Sequence, residues 1–239
     1  MKKQSNVYLV PVTLSEDAVE TIPPYIIQAI ENCQVLFAEN ERSARRFLKR
    51  MKKEIVIDSF EWFTIEKHDT KTAASTSDQF TRKIKEGKTI GILSEAGCPG
   101  VADPGQQLVE IAHKEKAIVK PLVGPSSILL ALMGSGLNGQ QFQFVGYLPI
   151  ESADRSKALK ELENESRKKN CTQIFIETPY RNNQLLQSIV NTLQPSTKLC
   201  LAVDLTSPAE KIEMKTINEW KKSLPDLHKK TTTFLFLSA

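Results

Sequence analysis

The stretch TIGILSEAGCPGVADPGQQLVEIAHKE, residues 89–115, decides how the chain is read. Thr89 to Leu93 is apolar and β-branched in the manner of a strand, and the twelve residues from Pro104 carry helical periodicity. Asp103 is placed to cap that helix, Pro104 to take its first position and Gln106 to reach back to the cap. Nine residues, Ser94 to Ala102, separate strand from helix, against about 2–6 in an ordinary connection of this kind. A long loop at the carboxyl end of a parallel strand usually holds a ligand. The expectation is a binding loop.

Working outward, short β-branched runs alternate with helical patterns. VYLVPV, VLFAEN, IVIDSF, TIGILS and AIVKPLV read as strands, with helices near 23–33, 41–53, 75–86 and 104–115 between them. Strands apolar on both faces predict an α/β region with a mainly parallel sheet. After LVGPSS the rhythm changes: the apolar helix SSILLALM precedes FQFVGYLP, helices at 154–169 and 180–193, and the strands TQIFIETP, KLCLAVDL, EKIEMK and TTTFLFLSA. Short connections between late strands predict a mixed sheet. The expected organisation is two α/β domains, 1–123 and 124–239.

With 239 residues, 40% of them hydrophobic, the chain can bury a substantial core. A net charge of +4 permits a phosphate-bearing partner without requiring one. Cys33, Cys98, Cys171 and Cys200 form no CxxC pair, and His68, His113 and His228 show no ligand spacing with them, so reduced thiols, a cytoplasmic setting and no metal are expected. No run is long and apolar enough to span a bilayer, and the start lacks the features of a signal peptide.

GSGLNG at 134–139 matches a dinucleotide-binding pattern but follows a helix and precedes a strand, the reverse of what a phosphate cradle requires. It reads as a helix end and turn. GPSS at 124–127 lacks the glycine of a nucleophile elbow, so Ser126 or Ser127 caps the next helix or meets a ligand there. In ERSARRFLKRMKK, Ala44, Phe47, Leu48 and Met51 form one stripe and basic residues cover the rest; that face is either simply solvated or contacts a nucleic-acid backbone. Glu39, Glu95, Glu177 and Asp204 fall at the carboxyl ends of strands, where α/β sheets place binding groups.

LSEAGCPGVADPG, PLVGPSSILLALMGSGL, FQFVGYLP and IFIETPYR, in this order, resemble the tetrapyrrole methylase superfamily, and more narrowly its ribosomal small-subunit methyltransferase I branch. The resemblance covers nearly the whole chain. It implies a two-lobed enzyme, usually a homodimer, that binds S-adenosylmethionine between its lobes and methylates a ribose 2′-hydroxyl in small-subunit ribosomal RNA. Carried over by position, it implies cofactor contacts at Pro11, Ser94, Glu95, Ala96, Val101, Ser126, Ser127, Glu177, Thr178, Leu205 and Thr232. Glu39 or Glu95 would be the base, and Arg42, Arg45 and Arg46 would hold RNA. The first loop, PVTLSEDAVETIPP, departs from the family's Gly-Asn-Leu run; AENER has Asn40 where the family has aspartate; and FTIEKHDT only faintly echoes a histidine- and asparagine-rich segment. Methylation of a tetrapyrrole or other small molecule, and a cofactor-binding protein without turnover, are the competing expectations.

Overall fold

The computed structural model describes residues 4–65 and 70–238, and its chain divides into two compact units, Met1–Ser126 and Ser127–Ala239. In the first unit, strands β1 (Asn6–Val10), β2 (Val35–Ala38), β3 (Glu61–Thr64), β4 (Ile90–Leu93) and β5 (Ile118–Pro121) form a parallel sheet in the order β3-β2-β4-β1-β5. Its helices are α1 (Tyr25–Glu31), α2 (Glu41–Met51), α3 (Thr70–Lys85) and α4 (Gly105–Lys114). Every residue of β2 and β4 is buried, as expected for strands covered on both faces.

Register positions the site. Val10 and Ala38 both pair with Leu93, so β1, β2 and β4 end level. Pro11, Glu39 and Ser94 are the next residues on three neighbouring strands, and their loops emerge side by side.

One expected strand is displaced. In IVIDSF, residues Ile57–Ser59 form a 3₁₀ turn and pairing begins at Glu61. Ile55, Ile57 and Phe60 are buried in the core with Phe47 and Leu48 of α2, so their apolar spacing reflects packing and not strand pairing. The expected stripe on α2 buries Ala44, Phe47 and Leu48, with Met51 packed against the same core.

The second unit contains β6 (Phe142–Tyr147), β7 (Thr172–Ile176), β8 (Lys198–Val203), β9 (Lys211–Thr216) and β10 (Thr232–Leu237), ordered β6-β7-β10-β8-β9. Only β6 and β7 run parallel, which makes the sheet mixed. Helices α5 (Ser127–Ser135), α6 (Ser152–Lys169), α7 (Asn182–Thr192) and the short α8 (Ile217–Trp220) accompany it. Phe175 and Phe234 stack at 5.7 Å, and the buried Trp220 donates Nε1–H to Leu199 O at 2.9 Å. GSGLNG closes α5 with Gly134 and Ser135 and then turns, with Gly136 at φ 67°. Among the described residues, no helix is long and apolar enough to cross a membrane.

Candidate functional site

The loop after β4 is folded around one carboxylate. Asp103 Oδ1 accepts from Gly100 N–H at 2.7 Å and Gly105 N–H at 2.8 Å. The sequence suggested Asp103 as an ordinary helix cap; instead Pro104 occupies the cap position, and Asp103 ties the loop's middle to the start of α4. Gly97, at φ 72°, exchanges two 2.9 Å backbone hydrogen bonds with Val12, pinning the loop after β1 to the loop after β4. Ser94 is buried and donates its hydroxyl to Gly97 O at 3.0 Å. Cys98 Sγ donates to Pro125 O at 3.4 Å, and Gly124 lies so close to Pro11 that a Cβ there would sit 2.2 Å from the Pro11 Cβ. Three loops are thus fastened to one another at the carboxyl end of the sheet.

Glu39 and Glu95, the two candidate bases, meet through the backbone: Glu39 Oε1 accepts from Glu95 N–H at 3.2 Å. The Glu39 side chain lies near enough to the Asp103 carboxyl for its charge to act on it. Burial pushes Asp103 up to about 6, and the neighbouring Glu39 charge adds to the rise, while the Gly100 and Gly105 amides oppose it. A negative charge beside a buried carboxyl makes the ionisation of Asp103 costlier. Glu39 is therefore committed to the framework, whereas the Glu95 side chain is exposed. Val101, also expected at the cofactor, is exposed in a turn closed by its N–H to Cys98 O at 3.3 Å.

A cavity of about 150 Å³ opens beside these loops, lined by Val12 to Leu14 and Glu16, by α2 residues including Arg46 and Arg50, and by Ser94, Glu95 and Ala96. Asn40 caps α2 by accepting from Ser43 N–H at 3.1 Å. The basic helix is mostly self-neutralised. Arg45 pairs with Glu41 and Asp58 and lies over Trp62, Lys52 pairs with Glu31, and Lys49 donates to two backbone carbonyls. Arg45 divides its guanidinium between two exposed carboxylates, while Arg42 is exposed and makes no ion pair among the described residues. Arg50, absent from the expected set, shares Glu16 with Arg46.

In the second unit, the buried Glu177 accepts from Thr178 N–H at 2.7 Å and from Arg181 at 2.6 Å. Leu205 and Thr232 are buried, and Ser127 opens α5. Asp204 accepts from the backbone and hydroxyl of Thr231, a structural role that accounts for its place at a strand end. Two buried polar atoms next to the expected contacts, Arg181 Nε and Thr206 Oγ1, have no protein partner. Thr206 is held at φ 67°, a costly conformation for a β-branched residue. Glu177→Ala is expected to destabilise the protein by about 2–3 kcal/mol, since hydrogen bonds to a charged acceptor are lost and Arg181 is left unpaired; a lower urea midpoint would show it.

Buried thiols play no visible part. Burial raises Cys33 and Cys200 to about 12. No group of three or more metal-binding side chains occurs among the described residues. His68, with the rest of 66–69 in FTIEKHDT, lies outside them.

Comparison with known proteins gives the context. The model of the tetrapyrrole (corrin/porphyrin) methylases matches residues 14–220. The chain is 30% identical over 216 residues to ribosomal RNA small subunit methyltransferase I of Escherichia coli O157:H7, covering 90% of this chain and 71% of that one. It is 28% identical to the protein of the same name from Halalkalibacterium halodurans, covering 81% of this chain but 62% of the relative. Among solved structures, the methyltransferase CobJ superposes with a TM-score of 0.65 at 15% identity, covering 99% of this chain and 95% of that one. Uroporphyrin-III-C-methyltransferase from Thermus thermophilus superposes at 0.57, also at 15% identity, covering 97% and 94%. These two share the fold. Taken with the loop architecture, the matches show that the chain belongs to the tetrapyrrole methylase family and is a methyltransferase.

Proposed function

We propose that the chain methylates a ribose 2′-hydroxyl in small-subunit ribosomal RNA, with S-adenosylmethionine as donor. The observation that carries this reading is the set of loops after β1, β4 and β5, fastened to one another at the carboxyl end of the sheet. The segment Leu93–Gly105 contains two carboxylates and no lysine or arginine. That composition suits a cationic sulfonium and ribose hydroxyls and is poorly suited to a phosphate. When bound, S-adenosylmethionine supplies an electrophilic methyl group on a good leaving group.

The protein's contribution is mainly positioning, which can supply much of the rate when reacting atoms are held in line. The donor contacts that the family pattern implies are Pro11, Ser94, Ala96, Val101 and Ser126 in the first unit and Ser127, Glu177, Thr178, Leu205 and Thr232 in the second. Glu95, exposed at the cavity, takes the hydroxyl proton; Glu39 holds the Glu95 backbone in place. Arg42 and Arg46 bind the RNA backbone. The curated relatives bear a ribosomal RNA name, which favours RNA over a macrocycle as the substrate. A homodimer acting in the cytoplasm on the ribosomal particle completes the reading.

Small subunits from a strain lacking the protein, incubated with it and radiolabelled S-adenosylmethionine, should gain label and one new ribose-methylation stop on primer extension. An unchanged stop pattern with no label incorporated would reject the function.

A further inference from the structure

We propose that Glu16 occupies the seat of a substrate phosphate: Arg46 and Arg50 grip an RNA phosphodiester, and Glu16 is the internal acid that this phosphate displaces. The inference rests on the RNA-methylating reading and adds to it a subsite, a second arginine and a competitor built into the protein.

Glu16 belongs to the loop after β1, where the sequence departs from the family's pattern. Its Oε1 lies 2.8 Å from an Arg50 nitrogen and 3.6 Å from one of Arg46, and its backbone carbonyl accepts from Arg50 at 2.7 Å. Arg50 therefore grips both the carboxylate and the backbone of this residue. All three side chains line the same cavity as Ser94, Glu95 and Ala96. A phosphodiester carries the same charge as a carboxylate and offers oxygens that guanidinium groups bind well. The three side chains are 36–56% exposed. Ion pairs that open to water contribute little and exchange easily, whereas RNA brings adjoining contacts that Glu16 cannot match. The hydrogen bond from Arg50 to the Glu16 carbonyl does not depend on the carboxylate, so the arginine stays aimed while its partner changes.

The test is binding of the full chain to a small-subunit RNA fragment across a salt series. Glu16→Gln should tighten binding about two- to fivefold, the range expected for removing an exposed ionic competitor, with the salt slope unchanged. Glu16→Ala should give the same gain, separating loss of charge from loss of an acceptor. Asp17→Asn, which removes a neighbouring charge outside the clamp, should have no effect. In an Arg46→Ala/Arg50→Ala background, affinity should fall, the slope should flatten by about 0.7–0.9 for the lost phosphate contact, and Glu16→Gln should gain nothing. If Glu16→Gln matches Asp17→Asn, or its gain survives without the arginines, the displaced-acid proposal is wrong while RNA recognition stands. If the unaltered protein binds no such RNA, the RNA reading fails and this inference with it.

Discussion

Gly124→Ala should weaken S-adenosylmethionine binding about tenfold or more, the consequence of an overpacking cost of about 1–3 kcal/mol placed directly on the site. A Cβ at Gly124 would lie 2.2 Å from the Pro11 Cβ and 2.4 Å from its Cγ. A proline ring has no rotamer into which it can retreat, so one of the two loops must move. Pro11 precedes Val12, which is bonded in both directions to Gly97, so movement of the first loop drags the long loop after β4. Calorimetric titration would measure the loss. Gly139→Ala is the control, since nothing lies within 4 Å of its added carbon. Equal affinity in Gly124→Ala and the unaltered protein would mean that this close approach does not shape the site.

Asp103 gives the second large effect, and its sign depends on the replacement. Asp103→Ala removes the acceptor for two amides, and each buried donor left without a partner costs about 1–3 kcal/mol. Asp103→Asn keeps that acceptor and turns an amide towards Glu39, replacing a buried acid whose ionisation the Glu39 charge opposes. The folded-state value of Asp103, about 6, lies above its ordinary 3.8. Between those values the native state holds a proton that the unfolded chain has released. Stability therefore falls as pH rises from about 4 through 6, then levels off. Asp103→Asn should raise the melting temperature at pH 7–8, change it less at pH 5, and flatten this slope. A melting curve with the same pH dependence in both proteins would show that the Asp103 carboxyl is not raised in the folded state.

Much of the fold could be read from spacing. β2 and β4 are fully apolar runs, and only strands buried on both faces need such sequences. IVIDSF misled because Ile55 and Ile57 alternate like a strand while packing into the core from irregular backbone. The loop at 94–102 was legible as a long, glycine-rich connection between β4 and α4 from its length and composition. The partnership of Asp103 with Glu39 was not, because it depends on β2 lying beside β4, a neighbour relation that no local pattern encodes. The same limit hid Arg50. On α2 it looks like any other exposed cation, and it is distinguished only by a glutamate 34 positions earlier that folds back onto it. Arg45 shows the same limit: its contacts with Asp58 and Trp62 come from a segment that no local pattern ties to α2.

The placement of β10 between β7 and β8 has a consequence for handling the protein. A chain cut before Thr232 would lose the keystone of the second sheet, baring the hydrogen-bonding flanks of two very apolar strands at once. Such flanks are ready templates for adhesion between molecules. Shortened forms should accumulate as insoluble aggregates, so any tag cleavage or proteolysis near this end belongs among the first things to check when a preparation clouds.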